Sequence, residues 1–274
     1  MKQTIGIIGG KGKMGRWFSK FFSKKGFNVL TSDIGTDLTN EELVKKSDAI
    51  IFSVPISKTV SVIESVLPFA RKDQMLCDLT SIKSPAVLAM MKSDCEVLGM
   101  HPMFGPFVDT MKGQTIVLCK EREREKTKSF VSLFKKSGAS VKFSTPEEHD
   151  KMMSIIQGMT HFSSIALARS ITDQKIDINE SLSYTSPVYR INMNMIGRIM
   201  AQDPKLYAEI QIFNPYVKKS IESFIESSKA LLDIIERKDE DSFVKYFEKA
   251  SDNMGEFKFK ALKESNKIIG DSHK

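Results

Sequence analysis

The sequence predicts an α/β protein, with a doubly wound parallel sheet over residues 1–145 and an all-helical domain over 146–274. Three observations predict this. Short apolar runs alternate with helix-period segments through the first half, the pattern that parallel βαβ units require. A glycine-rich turn, Gly10-Lys11-Gly12-Lys13-Met14-Gly15, follows the first apolar run and opens a helical segment. Beyond residue 145 the periodicity is helical and no strand pattern recurs.

The elements are read in order. Ile5–Ile8 is an apolar run of strand length, and Met14–Lys25 is helical, stopped by Gly26. A second strand covers Asn28–Ser32. Thr39-Asn40-Glu41-Glu42 has the form of a capping box and starts a short helix. Strands follow at Ala49–Ser53, Met75–Asp78 and Glu96–Gly99, separated by helices over Ser57–Phe69 and Ser84–Lys92. Thr115–Cys119, a helix over Glu121–Lys136 and Ser140–Phe143 complete the first half. Thr145-Pro146-Glu147-Glu148 offers an N-cap residue, a proline at the first helical position and a glutamate at the third. Helical periodicity then runs through 147–171, 178–200, 204–235, 239–250 and 253–269.

Composition bounds the function classes. The chain has 274 residues, a formal net charge of +7 and 41% hydrophobic residues, ordinary for a protein that buries a core. The lysines are spread out and form no basic arm, so nucleic acid is not an expected partner. A basic balance also suits an anionic small molecule. No apolar run reaches membrane-spanning length, so no membrane partner is expected. Cys77, Cys95 and Cys119 are odd in number and form no CxxC pair. Buried free thiols in a reducing, cytoplasmic setting are expected, with no metal site. The N-terminus lacks the pattern of a signal peptide.

The glycine turn has the form of a Rossmann-type dinucleotide site. Gly10 is expected to allow the tight turn, Gly12 to let the backbone approach a pyrophosphate, and Gly15 to let the helix pack on the sheet. The phosphates would lie on the helix N-terminus, beside Lys11, Lys13 and Met14. Asp33 ends the second strand, 18 positions beyond Gly15, where a carboxylate can bind ribose hydroxyls. Ser32-Asp33-Ile34-Gly35-Thr36 holds no cation for a 2′-phosphate, so the expected cofactor is NAD rather than NADP. Ser53-Val54-Pro55 and Leu79-Thr80-Ser81-Ile82-Lys83 end the third and fourth strands, so both loops are expected to reach the cofactor, with Ser53, Val54, Pro55 and Thr80 as the binding residues. The fifth strand leads into Leu98-Gly99-Met100-His101-Pro102-Met103-Phe104-Gly105-Pro106, which sets a histidine at the same sheet edge. Imidazole can take a proton near neutral pH, as oxidation of an alcohol carbon requires.

With Gly99–Pro106 the sequence resembles the prephenate dehydrogenase family, especially the dehydrogenase part of enzymes fused to chorismate mutase. Matching stretches are Glu148-His149-Asp150, Gln157–Phe162, Ser186-Pro187-Val188-Tyr189-Arg190 and Gly197–Tyr207, and the resemblance runs from about residue 4 to about residue 260. It implies NAD-dependent oxidative decarboxylation of prephenate to 4-hydroxyphenylpyruvate in tyrosine biosynthesis. Arogenate dehydrogenase is the alternative, and a catalytically silent NAD-binding regulator a more distant one. By this resemblance His101 takes or hydrogen-bonds the proton of the substrate hydroxyl, and Ser81 helps orient it. Arg198 binds the ring carboxylate, His161 lies near the pyruvyl side chain, and Arg190 and Tyr189 are pocket neighbours. The planar guanidinium fork suits a carboxylate. The helical half is implied to be the dimerisation domain of a homodimer and one wall of the active site, and a separate chorismate mutase is a possible partner. The sequence departs from the family at Phe107, where many relatives carry an acid. The next acid here is Asp109.

Overall fold

A computed structural model describes residues 3–271. Seven strands form one sheet in the order β2-β1-β3-β4-β5-β6-β7. They are β1 (Thr4–Ile8), β2 (Asn28–Ser32), β3 (Ala49–Phe52), β4 (Met75–Asp78), β5 (Glu96–Pro102), β6 (Thr115–Arg122) and β7 (Ser140–Phe143). Helices α1 (Lys13–Lys24), α2 (Asn40–Lys46), α3 (Ile56–Val66), α4 (Ser84–Met91) and α5 (Glu125–Lys136) connect them. The central strands β1, β3 and β4 are buried along nearly their whole length, as in a sheet covered on both faces. One apolar layer holds Phe18, Phe22, Phe130 and Phe134 against Ile5, Ile51 and Leu98. The other holds Leu43, Ile63, Val87 and Met90 against Ile8, Ile50 and Leu76.

The predicted α/β order stands, with one change of direction. The pairing of β5 with β6 is antiparallel, and every other pair is parallel. The link between them, residues 103–114, forms no helix, and a parallel crossover needs one. The expected helix from Glu121 instead begins at Glu125, because β6 extends to Arg122. Buried Glu96 caps that helix by accepting from the backbone N–H groups of Arg124, Lys126 and Thr127.

Both capping boxes form as expected, at Thr39/Glu42 and Thr145/Glu148. After the second comes α6 (Pro146–Met153), a π-helical stretch over Ser154–Met159, and α7 (Thr160–Asp173). The remaining helices are α8 (Ile178–Ser183), α9 (Pro187–Met200), α10 (Pro204–Phe213), α11 (Val217–Glu236), α12 (Glu240–Met254) and α13 (Phe257–Asp271). Two expected helices are each broken in two. Ser186 caps α9 with Pro187 at its first position, and α10 ends before Asn214-Pro215.

The chain divides into two compact units, residues up to Gln157 with Lys205–Val217, and Gly158–Pro204 with the residues from Lys218 onward. The first therefore includes α6 and α10. Ser57 Oγ donates to Glu209 of α10 at 2.6 Å, and Asn214 donates to the Asp150 carbonyl at 2.8 Å. In the second unit α7 packs on α9, and Phe162 meets Phe224 edge to face. This unit exposes many large apolar side chains, among them Phe243, Phe247, Phe257, Phe259 and Leu262. No described helix is long and apolar enough to cross a membrane.

Candidate active site

The glycine turn lies at the carboxyl end of β1. The sequence assigned the tight turn to Gly10, but the structure puts it one residue earlier. Gly9 has φ +84°, and a Cβ there would stand 2.3 Å from the Ser53 carbonyl oxygen. Gly10 instead makes room for Thr31 of β2, 2.5 Å from where its own Cβ would be. Gly9 escaped the sequence reading because the motif is counted from the glycine after it. Gly15 behaves as expected: a Cβ there would fall 2.3 Å from the Gly9 carbonyl oxygen, so α1 lies directly on the turn. Gly12 is the N-cap residue of α1 and offers no side-chain acceptor to the first-turn N–H groups. Lys11, Gly12 and Lys13 are exposed there and Met14 is half-buried. An uncapped helix N-terminus over a side-chain-free turn fits a pyrophosphate.

Asp33 stands beside this turn. Its carboxylate accepts from the backbone N–H of Lys11 at 2.7 Å and of Ile34 at 2.7 Å. Residues 32–36 hold no cation, yet the fold brings one in from the turn itself. Lys11 Nζ donates to the Gly35 carbonyl at 2.9 Å. Ser53, Val54 and Pro55 continue from β3, the strand next to β1, and Thr80 and Ser81 from β4. Thr80 is buried; its backbone N–H donates to Asp78, and its hydroxyl lies within hydrogen-bond distance of Asp78 and of the Ile82 carbonyl, so it braces its own loop. Ser81 is half-buried.

His101 lies within β5 rather than in the loop expected after Gly99. It pairs with Val117 of β6 and is 3% exposed. Its Nδ1 lies 2.8 Å from Nε2 of His149 on α6. His149 Nδ1 lies 2.8 Å from Asp150 Oδ1. The Asp150 carboxylate also accepts from the backbone N–H groups of Lys83 at 2.7 Å and Ser84 at 2.9 Å. Burial disfavours its charge, but these hydrogen bonds outweigh that and hold the carboxyl below its usual range.

The row fixes the tautomers. An ionised carboxylate only accepts, so His149 carries its proton on Nδ1 and presents a bare Nε2. His101 must then donate from Nδ1, which leaves its Nε2 lone pair for an incoming proton. Burial lowers the affinity of both imidazoles for a proton, well below the ordinary value at His101, where His149 and Lys83 add to the effect. Both are therefore neutral at neutral pH, as a base must be before it acts. The unfolded chain takes up these protons near the ordinary histidine value of about 6.5, whereas the native state resists them. Native stability is therefore fully present above that pH and falls as pH drops below it. Urea denaturation at pH 7.5 and 5.5 checks this: the midpoint is expected to be lower at pH 5.5 in the wild type. The drop should shrink when His149 is replaced by Gln.

The sequence places Lys83 only within a loop expected near the cofactor and His149 at the start of the helical domain, and it gives Asp150 no role of its own. The matching stretch Glu148-His149-Asp150 was the available signal, but nothing in it names His101 as the partner, 48 residues away. The other predicted residues lie in the second unit. His161 is half-buried on α7, and burial lowers its affinity for a proton. Tyr189, Arg190 and Arg198 share α9. Tyr189 donates to Ser181 Oγ at 2.9 Å, and both arginines are exposed. Phe107 is exposed with Lys13 Nζ 5.9 Å from its ring centre. Among the described residues no group of three or more His, Cys, Asp or Glu is disposed to hold a metal ion.

The sheet order, the glycine turn and the edge residues define a Rossmann-type nucleotide-binding protein with a helical C-terminal region. Comparison with known proteins narrows this. Residues 23–143 match the family profile described as prephenate dehydrogenase, nucleotide-binding domain. Residues 145–249 match prephenate dehydrogenase, dimerization domain. The "probable arogenate/prephenate dehydrogenase" of Methanocaldococcus jannaschii is 38% identical over 92% of this chain, which spans 61% of that protein. The T-protein of Haemophilus influenzae is 32% identical over 97% of this chain, which spans 71% of it. Among solved structures, a prephenate dehydrogenase from A. aeolicus, crystallised with hydroxyphenyl propionate and NAD+, superposes with a TM-score of 0.77 at 21% identity. The match covers 94% of this chain and 99% of that one. The chain belongs to the prephenate dehydrogenase family.

Proposed function

We propose that the protein catalyses NAD-dependent oxidative decarboxylation of prephenate to 4-hydroxyphenylpyruvate, a step toward tyrosine. The observation that carries this reading is the His101–His149–Asp150 row at the sheet edge that also bears the glycine turn. The turn and the first residues of α1 would hold the cofactor's phosphates, and Asp33 the adenosine ribose. A bound nicotinamide supplies the hydride acceptor. His101 Nε2 takes the proton of the substrate's ring hydroxyl as hydride leaves the carbon that bears it. His149 accepts the hydrogen bond from His101 Nδ1, and Asp150 supports the charge that develops on the pair. The ring carboxylate departs as carbon dioxide, and aromatisation drives the reaction. Arg198 is assigned to that carboxylate, Ser81 to the hydroxyl, and His161, Arg190 and Tyr189 to the rest of the substrate. Homodimerisation through the helical region is supported by its exposed phenylalanines and by the profile that it matches.

Two features define the assay. The M. jannaschii relative carries both substrates in its name, and prephenate and arogenate differ only in a keto versus an amino group. Asp33 favours NAD, since a 2′-phosphate would meet a carboxylate. Lys11 Nζ nevertheless lies at that loop, and relatives in two yeasts are named as NADP enzymes. Turnover of prephenate and of arogenate is therefore measured with NAD and with NADP. Prephenate with NAD is the expected best pair. Preference for arogenate would reassign the substrate, and no turnover of either would leave a nucleotide-binding regulator.

A further inference from the structure

We propose that Lys83 is a positioning residue of this reaction, because one residue ties together the strand ends and the histidine row that the chemistry uses. Its side chain is fully buried and makes an ion pair with Asp78 at the end of β4. The same ammonium donates to the Met100 carbonyl at 2.7 Å, on the residue just before His101 in β5. Its backbone N–H donates to the Asp150 carboxylate that anchors His149. A lysine is rarely buried without a partner for its charge, since an ion removed from water loses its hydration. Apolar residues would close the same space without that cost. What the ion pair adds is direction and field. It fixes the peptide before His101, and it sets a cation near two imidazoles that must stay neutral until the substrate's proton arrives.

The groups facing the imidazoles are few. Asp150 and His149 itself come from α6, Lys83 from the residue before α4, Asp78 from β4 and Cys119 from β6, on the sheet face that carries His101. The Cys119 thiol is neutral, because burial pushes it up to about 12. Among these neighbours only Lys83, Asp78 and Asp150 are charged. Lys83 works against imidazolium at both histidines, and Asp78 favours it at His149.

Charge deletion at the two ends of the pair therefore has opposite signs. Lys83→Met leaves Asp78 and should make both imidazoles easier to protonate. Asp78→Asn leaves the ammonium and should make His149 harder to protonate. The double variant removes both charges: the two changes oppose each other at His149, while His101 keeps the full effect of losing Lys83. The test titrates the imidazoles by NMR in the full-length protein without substrate, where only four histidines are present. The acid limb of kcat/KM is measured alongside. Expected are a shift to higher pH at both histidines in Lys83→Met, a shift to lower pH at His149 in Asp78→Asn, and in the double variant a His149 shift smaller than in Lys83→Met with the His101 shift retained. The double variant carries no lone buried charge and remains informative if a single variant fails to fold: its acid limb should move to higher pH, as His101 loses the Lys83 charge, while kcat falls, as the clamp on Met100 is lost. Equal or same-sign shifts of His149 in the two single variants, or a double variant with unchanged kcat, would overturn the proposal. It rests on the proposed dehydrogenase activity, and the two failures differ. A wild type inert toward prephenate and arogenate sinks the activity but leaves the NMR shifts to be judged. An active wild type whose imidazoles ignore the substitutions sinks the role of Lys83 alone.

Discussion

Replacing His101 with asparagine is expected to lower kcat/KM for prephenate by roughly a hundredfold to ten-thousandfold, the usual contribution of a positioned base. Nucleotide binding should be retained. Asparagine suits this test because its amide can still donate to His149 Nε2, so the contact at 2.8 Å has a replacement and the fold loses little. The lone pair on the far side of the ring has none, since an amide nitrogen does not accept a proton at neutral pH. The measurement is initial NADH formation with saturating NAD, paired with calorimetric titration of NAD alone. Turnover like that of the wild type would remove His101 from the chemistry. Loss of NAD binding along with activity would show that the substitution had disturbed the sheet edge instead.

The second large effect is expected from Gly15→Ala. The added methyl would fall 2.3 Å from the Gly9 carbonyl oxygen and 2.9 Å from Gly10 Cα, both backbone atoms of the turn. Neither can move like the end of a flexible side chain, so α1 must lift from the turn. Overpacking of this kind costs about 1–3 kcal/mol, and here it acts where the helix N-terminus would meet the phosphates. Thermal unfolding should shift down by several degrees and NAD affinity should fall sharply. Gly26→Ala is the matched control. That position has φ +88° with nothing within 4 Å of an added methyl, so its cost is backbone strain distant from the turn. A variant at Gly15 that melts and binds like the wild type would contradict the close approach of helix and turn.

The sequence made the sheet legible because strand-length apolar runs and two capping boxes are local signals, and Thr39 and Thr145 mark their helix starts where the structure has them. The errors fall where a neighbour decides. His101 and Pro102 look like loop because β4 no longer pairs with them, Gly99 being its last partner. They remain strand because β6 runs back along the other side. Antiparallel β6 itself is not written in its own residues but in the helix-free link before it. Lys83 reads as a polar loop residue until the fold buries it against Asp78. The breaks at Ser186-Pro187 and Asn214-Pro215 are misses of another kind: periodicity carries the expected helices through them, although proline disfavours helix at the residue before it. His149 required knowledge of which helix covers β5, and periodicity holds no such information.

One contact made by the loop after His101 has a practical consequence. Trp17 of α1 donates from its indole to the Val108 carbonyl at 2.6 Å and meets the Phe104 ring edge to face. It is the single tryptophan of the chain. Its emission is therefore a built-in optical reporter of one place, the seam between the helix that begins at the glycine turn and the segment that follows His101. Excitation at the red edge of the absorbance band would follow that seam in real time, with no label attached, as nucleotide and substrate are mixed in either order.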